Sequence, residues 1–123
     1  MKLFDPTLSL LERSLDVRLQ KENALAADLA NADTPGFRPV DVDFDGAMRA
    51  AVRELSSGRE PERTSPALIQ SLDRSEAGLD GNAVDRDRTL VSMAGNALQY
   101  GASARAAGKL LAILRTVVSD GNA

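Results

Sequence analysis

The chain has 123 residues, with 15 Lys plus Arg against 18 Asp plus Glu, and neither His nor Cys. That composition excludes disulfides, thiolate nucleophiles and Cys-ligated metals, and it removes the usual general base and the commonest transition-metal ligand. A net charge of −3 and a pI near 4.9 speak against nucleic acid, which needs a basic patch to neutralise its phosphates.

The N-terminus offers one basic residue, Lys2, then Leu3-Phe4 before Asp5-Pro6 ends the apolar run. This is no secretory signal peptide, so the expectation is a chain that stays in the cytoplasm or leaves without a cleaved leader. Residues 1–33 read as an N-terminal helix. Asp5 serves as N-cap with Pro6 at the first helical position. Leu8, Leu11, Leu15 and Leu19, then Leu25 and Leu29, recur at helical spacing. Arg18 and Glu22 fall on the same stripe and interrupt it. Asn31 and the turn Thr34-Pro35-Gly36 end the helix, because proline cannot continue it and glycine supplies positive φ.

Residues 34–81 form a weaker middle. Val40, Val42 and Phe44 alternate with Asp41 and Asp43, as in a short strand or extended arm. Phe44, Met48, Val52 and Leu55 then follow a helical period, predicting a short helix from about Gly46. The stretch 56–66 is polar, carries two prolines and has no apolar anchor, so it reads as a mobile loop. Asp80-Gly81-Asn82 is a turn.

Residues 82–123 carry the clearest signal, a helix over about 85–119. Leu90, Ala97, Ala104, Leu111 and Val118 fall every seven residues, and Met93, Tyr100, Ala107 and Leu114 fill the companion position. Such a column is a coiled-coil or bundle seam. Small residues in its middle let another helix approach closely. The helix would rise roughly 50 Å at about 1.5 Å per residue, while a compact domain of this length has a radius of gyration of only about 14 Å. The longest aliphatic run, Leu110 to Leu114, is far short of the ~20 residues a membrane span needs. Only Phe4, Phe37, Phe44 and Tyr100 are aromatic, so a solitary globule is short of core material. The predicted fold is therefore mainly α. It is one elongated unit in which N- and C-terminal helices pair antiparallel along a coiled-coil-like seam, with a short extended and loop region between them. The apolar stripes are either the ordinary core of that hairpin or a surface for other chains. The greater length of the C-terminal stripe favours other chains.

Asp41-Val42-Asp43-Phe44-Asp45-Gly46 matches the opening of an EF-hand loop, but position twelve is Val52 where a bidentate Glu is required, and Glu54 comes two residues late. An acidic turn with Asp43 or Asp45 capping the next helix is the simpler reading. Lys2, Lys21 and Lys109 are not placed beside any serine, and no phosphate loop or nucleophile elbow is present. No cofactor, metal, catalytic residue or small-molecule substrate is expected. A small cytoplasmic helical adaptor that binds one partner helix is the alternative reading.

Leu29-Ala30-Asn31-Ala32-Asp33-Thr34-Pro35-Gly36-Phe37 closely resembles the N-terminal signature of the flagellar rod and hook family, roughly N-(I/L)-A-N-x-x-T-P-G-(Y/F). Val42-Asp43-Phe44 fits it too. Asp80-Gly81-Asn82-Ala83-Val84-Asp85 and Asn96-Ala97-Leu98-Gln99-Tyr100 resemble the C-terminal half of the family's proximal-rod members. The chain lacks the E-M-x-x-(L/M)-I-x-x-x-R-x-(Y/F) helix of the other members. Its short length and missing central domain point the same way. The resemblance spans both ends and leaves 55–78 unaddressed. It departs at Asp28, where the family has Asn, and so replaces whatever hydrogen bond that Asn makes.

The resemblance implies a structural protein of the flagellar basal body whose terminal helices pack with neighbouring subunits into a tubular drive shaft crossing the periplasm. It implies passage through the flagellar type III export apparatus without a cleaved leader. Implied partners are other rod subunits, the rod-adaptor and export-gate proteins, and the membrane ring. The two stripes would then be the self-assembly seam. Phe4 and Leu8 show an F-x-x-x-Φ spacing resembling the gate-recognition motif of early flagellar export substrates. The alternative role of Phe4 is to staple the start of the first helix.

Overall fold

In a computed structural model, the described residues are 5–63, 66–67, 69–71 and 77–120, with only the backbone of 69–71. Helix α1 spans Asp5–Ala30, strand β1 Val40–Val42, helix α2 Phe44–Ser56, strand β2 Ile69–Ser71 and helix α3 Arg86–Asp120. Asp5 is the first residue of α1 and not its cap, so Pro6 sits one position further into the first turn than expected, where its missing N–H still costs no intrahelical bond. Helix α2 starts two residues before the predicted Gly46. The Asp43 carboxylate accepts the Gly46 N–H at 2.9 Å and so caps the helix from one position before Phe44. Its C-terminus closes with the Ser57 N–H on the Arg53 carbonyl, and Gly58 follows at φ +76°.

The two long helices lie antiparallel, in a register set by polar pairs. The Ser14 and Ser103 hydroxyls are 3.4 Å apart, an Arg18 Nη donates to Gln99 Oε1, and Asn96 Nδ2 donates to Glu22 Oε2 at 2.8 Å. At 35 residues against 26, α3 outruns α1 by about 14 Å at 1.5 Å per residue. The predicted seam is only partly the contact between them. Thr89, Asn96 and Ser103 of α3 turn inward, alongside Met93, Ala107, Leu110 and Leu114. The column Leu90, Ala97, Leu111 and Val118 lies one residue further round and is exposed, with Ala104 half-buried. Tyr100 is exposed as well. The cause is on α1: Ser14, Arg18 and Glu22 line the side facing α3, and their polar groups select the polar column.

The apolar core lies on the other side of α1. Val17 is fully buried and packs with Val42, Ala47 and Ala67, flanked by Ala24 and Phe44. The Arg18 guanidinium covers the Phe44 ring, with its carbon 4.1 Å from the centroid. Strand β1 pairs antiparallel with β2, Val40 opposite Ser71 and Val42 opposite Ile69. No periodic signal marks that partner strand in the sequence. The loop reading of 56–66 needs one correction, because an anchor exists. Pro61 is buried, buried Arg13 donates to the Arg63 carbonyl at 3.0 Å, and the Arg63 side chain pairs with Asp16 at 3.2 Å. Just beyond, the Ala67 N–H donates to Gln20 Oε1 at 2.8 Å. Residues 64–65 lie outside the described residues.

Asp28 is 2% exposed and its Oδ1 accepts the Val40 N–H at 3.3 Å, tying the end of α1 to the start of β1. Burial raises its carboxyl above the ordinary aspartate range, opposed by the Val40 hydrogen bond and reinforced by nearby Asp41. The folded chain therefore binds this proton more tightly than the unfolded chain. Stability from this group falls as pH rises from the ordinary aspartate value through the raised one. Asn keeps an acceptor for Val40 without the buried charge at a helix C-terminus. Asp28→Asn should raise stability at neutral pH by at least a few tenths of a kcal/mol. The gain should shrink on acidification, as urea titrations at several pH values would show.

Candidate assembly surface

The two signature turns are far apart in sequence and clasp each other in space. The turn after α1 is built around Asn31. Its Nδ2 donates to Ala27 O at 2.8 Å, its carbonyl accepts the Thr34 N–H at 2.9 Å, and Thr34 Oγ1 donates to its Oδ1 at 3.2 Å. Gly36 and Gly81 both hold left-handed backbone, at φ +72° and +76°, which glycine adopts without strain. The Gly36 N–H donates to Asp80 O at 3.0 Å and the Ala83 N–H to Phe37 O at 3.2 Å, joining the turns through the backbone.

Asn82 holds the clasp from within. It is 8% exposed, and its Nδ2 reaches the carbonyls of Asn31, Ala32 and Thr34 at 2.9, 3.1 and 2.7 Å. Its Oδ1 accepts the Val84 N–H at 2.8 Å. The two Nδ2 hydrogens are shared among three carbonyls of the turn after α1, of which those of Asn31 and Thr34 also accept backbone N–H groups, and Oδ1 serves one N–H before α3. Asp85 then caps α3 through the Arg88 N–H at 3.0 Å. Pro35 is exposed and Phe37 half-buried, so the family turn serves to aim α3 back along α1. Both turns are visible in the sequence, but their contact is not. Asn82 carries no sign of burial in the sequence, and its place directly after Gly81 is the one available signal.

The remaining predicted positions divide by face. On α1, Leu25 is buried while Leu8, Leu11, Leu15 and Leu29 are half-buried. Helix α1 gives Val17, Ala24 and Asp28 to the β1 and α2 side, and Ser14, Arg18 and Glu22 to α3. Leu8, Leu15 and exposed Leu19 occupy the third side. At about 100° per residue, this strip and the α3 column through Leu90, Ala97, Ala104 and Leu111 fall on the same face of the hairpin, opposite α2. Beyond the level of Asp5, α3 continues with Ile113, Val117 and Val118 exposed. The strip and the column form an apolar face without a partner among the described residues, while Ile113 and Val117 fall on the opposite side of α3.

Phe4 lies outside the described residues, and Leu8 stands in the first turns of α1. The acidic loop is spoken for by the protein itself. Asp41 Oδ1 accepts the Val42 N–H at 2.8 Å and lies 3.1 Å from Lys21 Nζ, and Asp43 is the helix cap. No helix among the described residues is long and apolar enough to cross a membrane.

No family model matches the chain. Individual proteins do. The chain is 33% identical to the flagellar basal body rod protein FlgB of Escherichia coli (strain K12), in an alignment of 133 positions covering 96% of both chains. Identity and coverage are the same for the protein of that name from Salmonella typhimurium. For that from Yersinia enterocolitica, identity is 32% over 111 positions, covering 78% of this chain and 81% of the relative. At this identity and coverage, the chain belongs to the flagellar basal body rod protein FlgB family.

Proposed function

We propose that the chain, a structural subunit of the flagellar basal body rod and not an enzyme, joins its neighbours through the apolar face of its two long helices. The observation that carries this is the column Leu90, Ala97, Ala104, Leu111 and Val118, left outside the chain's own core on a 35-residue helix. A helix this long with its apolar column outward is incomplete without other helices. The neighbours are other rod subunits. The rod-adaptor and export-gate proteins lie beneath, and the membrane ring surrounds the periplasmic shaft. The adaptor reading gives no use to a clasp that fixes two helices in antiparallel register.

A deletion strain should be non-motile and stall before rod completion, and a plasmid copy should restore swimming. A motile deletion strain would overturn the reading. Export without a cleaved leader belongs to the same proposal, with Phe4 and Leu8 as its recognition pair, since residues at i and i+4 share one face of a turn. In a strain blocked after rod export, Phe4→Ala should leave the protein in the cytoplasm and reduce secretion at least tenfold, about 1.4 kcal/mol of lost recognition. Normal secretion with failed assembly would instead assign Phe4 to stapling α1.

A further inference from the structure

Two columns of α3 compete for the same contact. The apolar one, through Leu90, Ala97, Ala104 and Leu111, is what a hydrophobic repeat would bury against α1. The one through Thr89, Asn96 and Ser103 lies there instead, alongside Met93, Ala107, Leu110 and Leu114. They are one residue apart, so a rotation of α3 by about 100° exchanges them. Asn96 is the centre of the polar column. It is 4% exposed, with Nδ2 donating to the Arg18 carbonyl at 2.9 Å and to Glu22 Oε2 at 2.8 Å. Its Oδ1 is buried and has no hydrogen-bond partner among the described residues, and the same holds for Arg18 Nε beside it. A buried amide with an unmatched carbonyl lowers stability, and its attested use at a helix contact is to fix register.

We infer that Asn96, assisted by Ser103 opposite Ser14, is the positioning residue that holds the polar column inward and so keeps the apolar column free for neighbouring subunits. The clasp around Asn82 fixes only the first turn of α3. Asn96 lies about two and a half turns further on, at 3.6 residues per turn, and holds the rotation where the clasp no longer reaches. In Asn96→Ala, the polar lock is gone and no large side chain replaces it, so burial of the apolar column releases Glu22 and the Arg18 carbonyl to water and buries aliphatic surface instead. The helix then satisfies itself and loses the face on which assembly depends. This inference rests on the assembly reading for its motility arm alone.

The absence of native cysteine makes the test direct. Ala97→Cys, on the exposed column, and Leu98→Cys, on an exposed position away from α1, are each labelled with a maleimide in the parent chain and in the Asn96→Ala background. The expected result is that the thiol at position 97 labels about tenfold more slowly in the Asn96→Ala background, a protection of about 1.4 kcal/mol. The thiol at position 98 should label at an unchanged rate. The purified Asn96→Ala chain should melt no lower than the parent, yet fail to complement a deletion strain. Ser103→Ala should show the same pattern, and it serves where Asn96→Ala does not fold. Asn96→Ser, which keeps a polar group, should retain parental labelling. Equal labelling of the thiol at position 97 in parent and variants would overturn the inference, as would lower melting temperatures in both alanine variants. Neither result would touch the assembly reading, which falls only if disrupting the apolar column leaves cells motile.

Discussion

Asn82→Ala should destabilise the isolated chain by about 2–4 kcal/mol, measured by urea unfolding at neutral pH. The substitution removes the two N–H groups that Nδ2 shares among the carbonyls of Asn31, Ala32 and Thr34, together with the acceptor that Oδ1 offers Val84. The half-buried carbonyls of Asn31 and Ala32 regain water only in part, so some desolvation cost remains. The loss is large against what the rest of the chain supplies. Its only fully buried large side chain among the described residues is Val17, and small domains have totals of about 5–15 kcal/mol. Asn82→Asp separates the two halves of the amide. It keeps an acceptor for Val84 but turns an oxygen toward three carbonyls, so it should cost at least as much as Ala. A loss below about 1 kcal/mol for both variants would mean that the backbone bonds of Gly36 and Ala83 hold the turns without Asn82.

The two long helices are legible in the sequence because each level of signal agrees. Asp5-Pro6 starts α1, Thr34-Pro35-Gly36 ends its segment, and a heptad runs the length of α3. Their pairing is harder to read. Hydrophobic periodicity finds a stripe but not what it faces, and here the stripe of α3 faces away from α1. Arg18 and Glu22 hold the missing information. As flaws in an apolar stripe they are noise, yet as polar groups they demand polar partners, and Thr89, Asn96 and Ser103 recur at the required spacing. Strand β2 is illegible for another reason. Three residues pairing with three others across a long connection leave no periodic trace, and the pairing depends on where α1 and α2 place β1. The anchor at Pro61 escapes sequence reading because proline and arginine in a polar stretch look only like loop formers. Arg13 and Asp16, 50 and 47 residues before Arg63 but adjacent to it once folded, are what hold that segment down.

Leu111→Asp should abolish swimming while leaving the isolated chain as stable as the parent. Leu111 is 50% exposed, so a carboxylate there stays in water in the free chain, and its effect on unfolding should fall within about 0.5 kcal/mol. On the proposed assembly surface, the same carboxylate would be enclosed by a neighbouring helix. An uncompensated buried charge costs several kcal/mol, and every copy in the rod carries it. Leu114→Asp is the informative companion. Leu114 is half-buried on the inward side of α3, so that variant should lose stability and motility together. The contrast separates a surface kept for neighbours from one used by the chain itself. It is read by thermal melts of the purified variants beside swimming assays of complemented deletion strains. Motile cells carrying Leu111→Asp would remove the outward column of α3 from the assembly surface, and matching melting losses for both variants would place that column in the chain's own core.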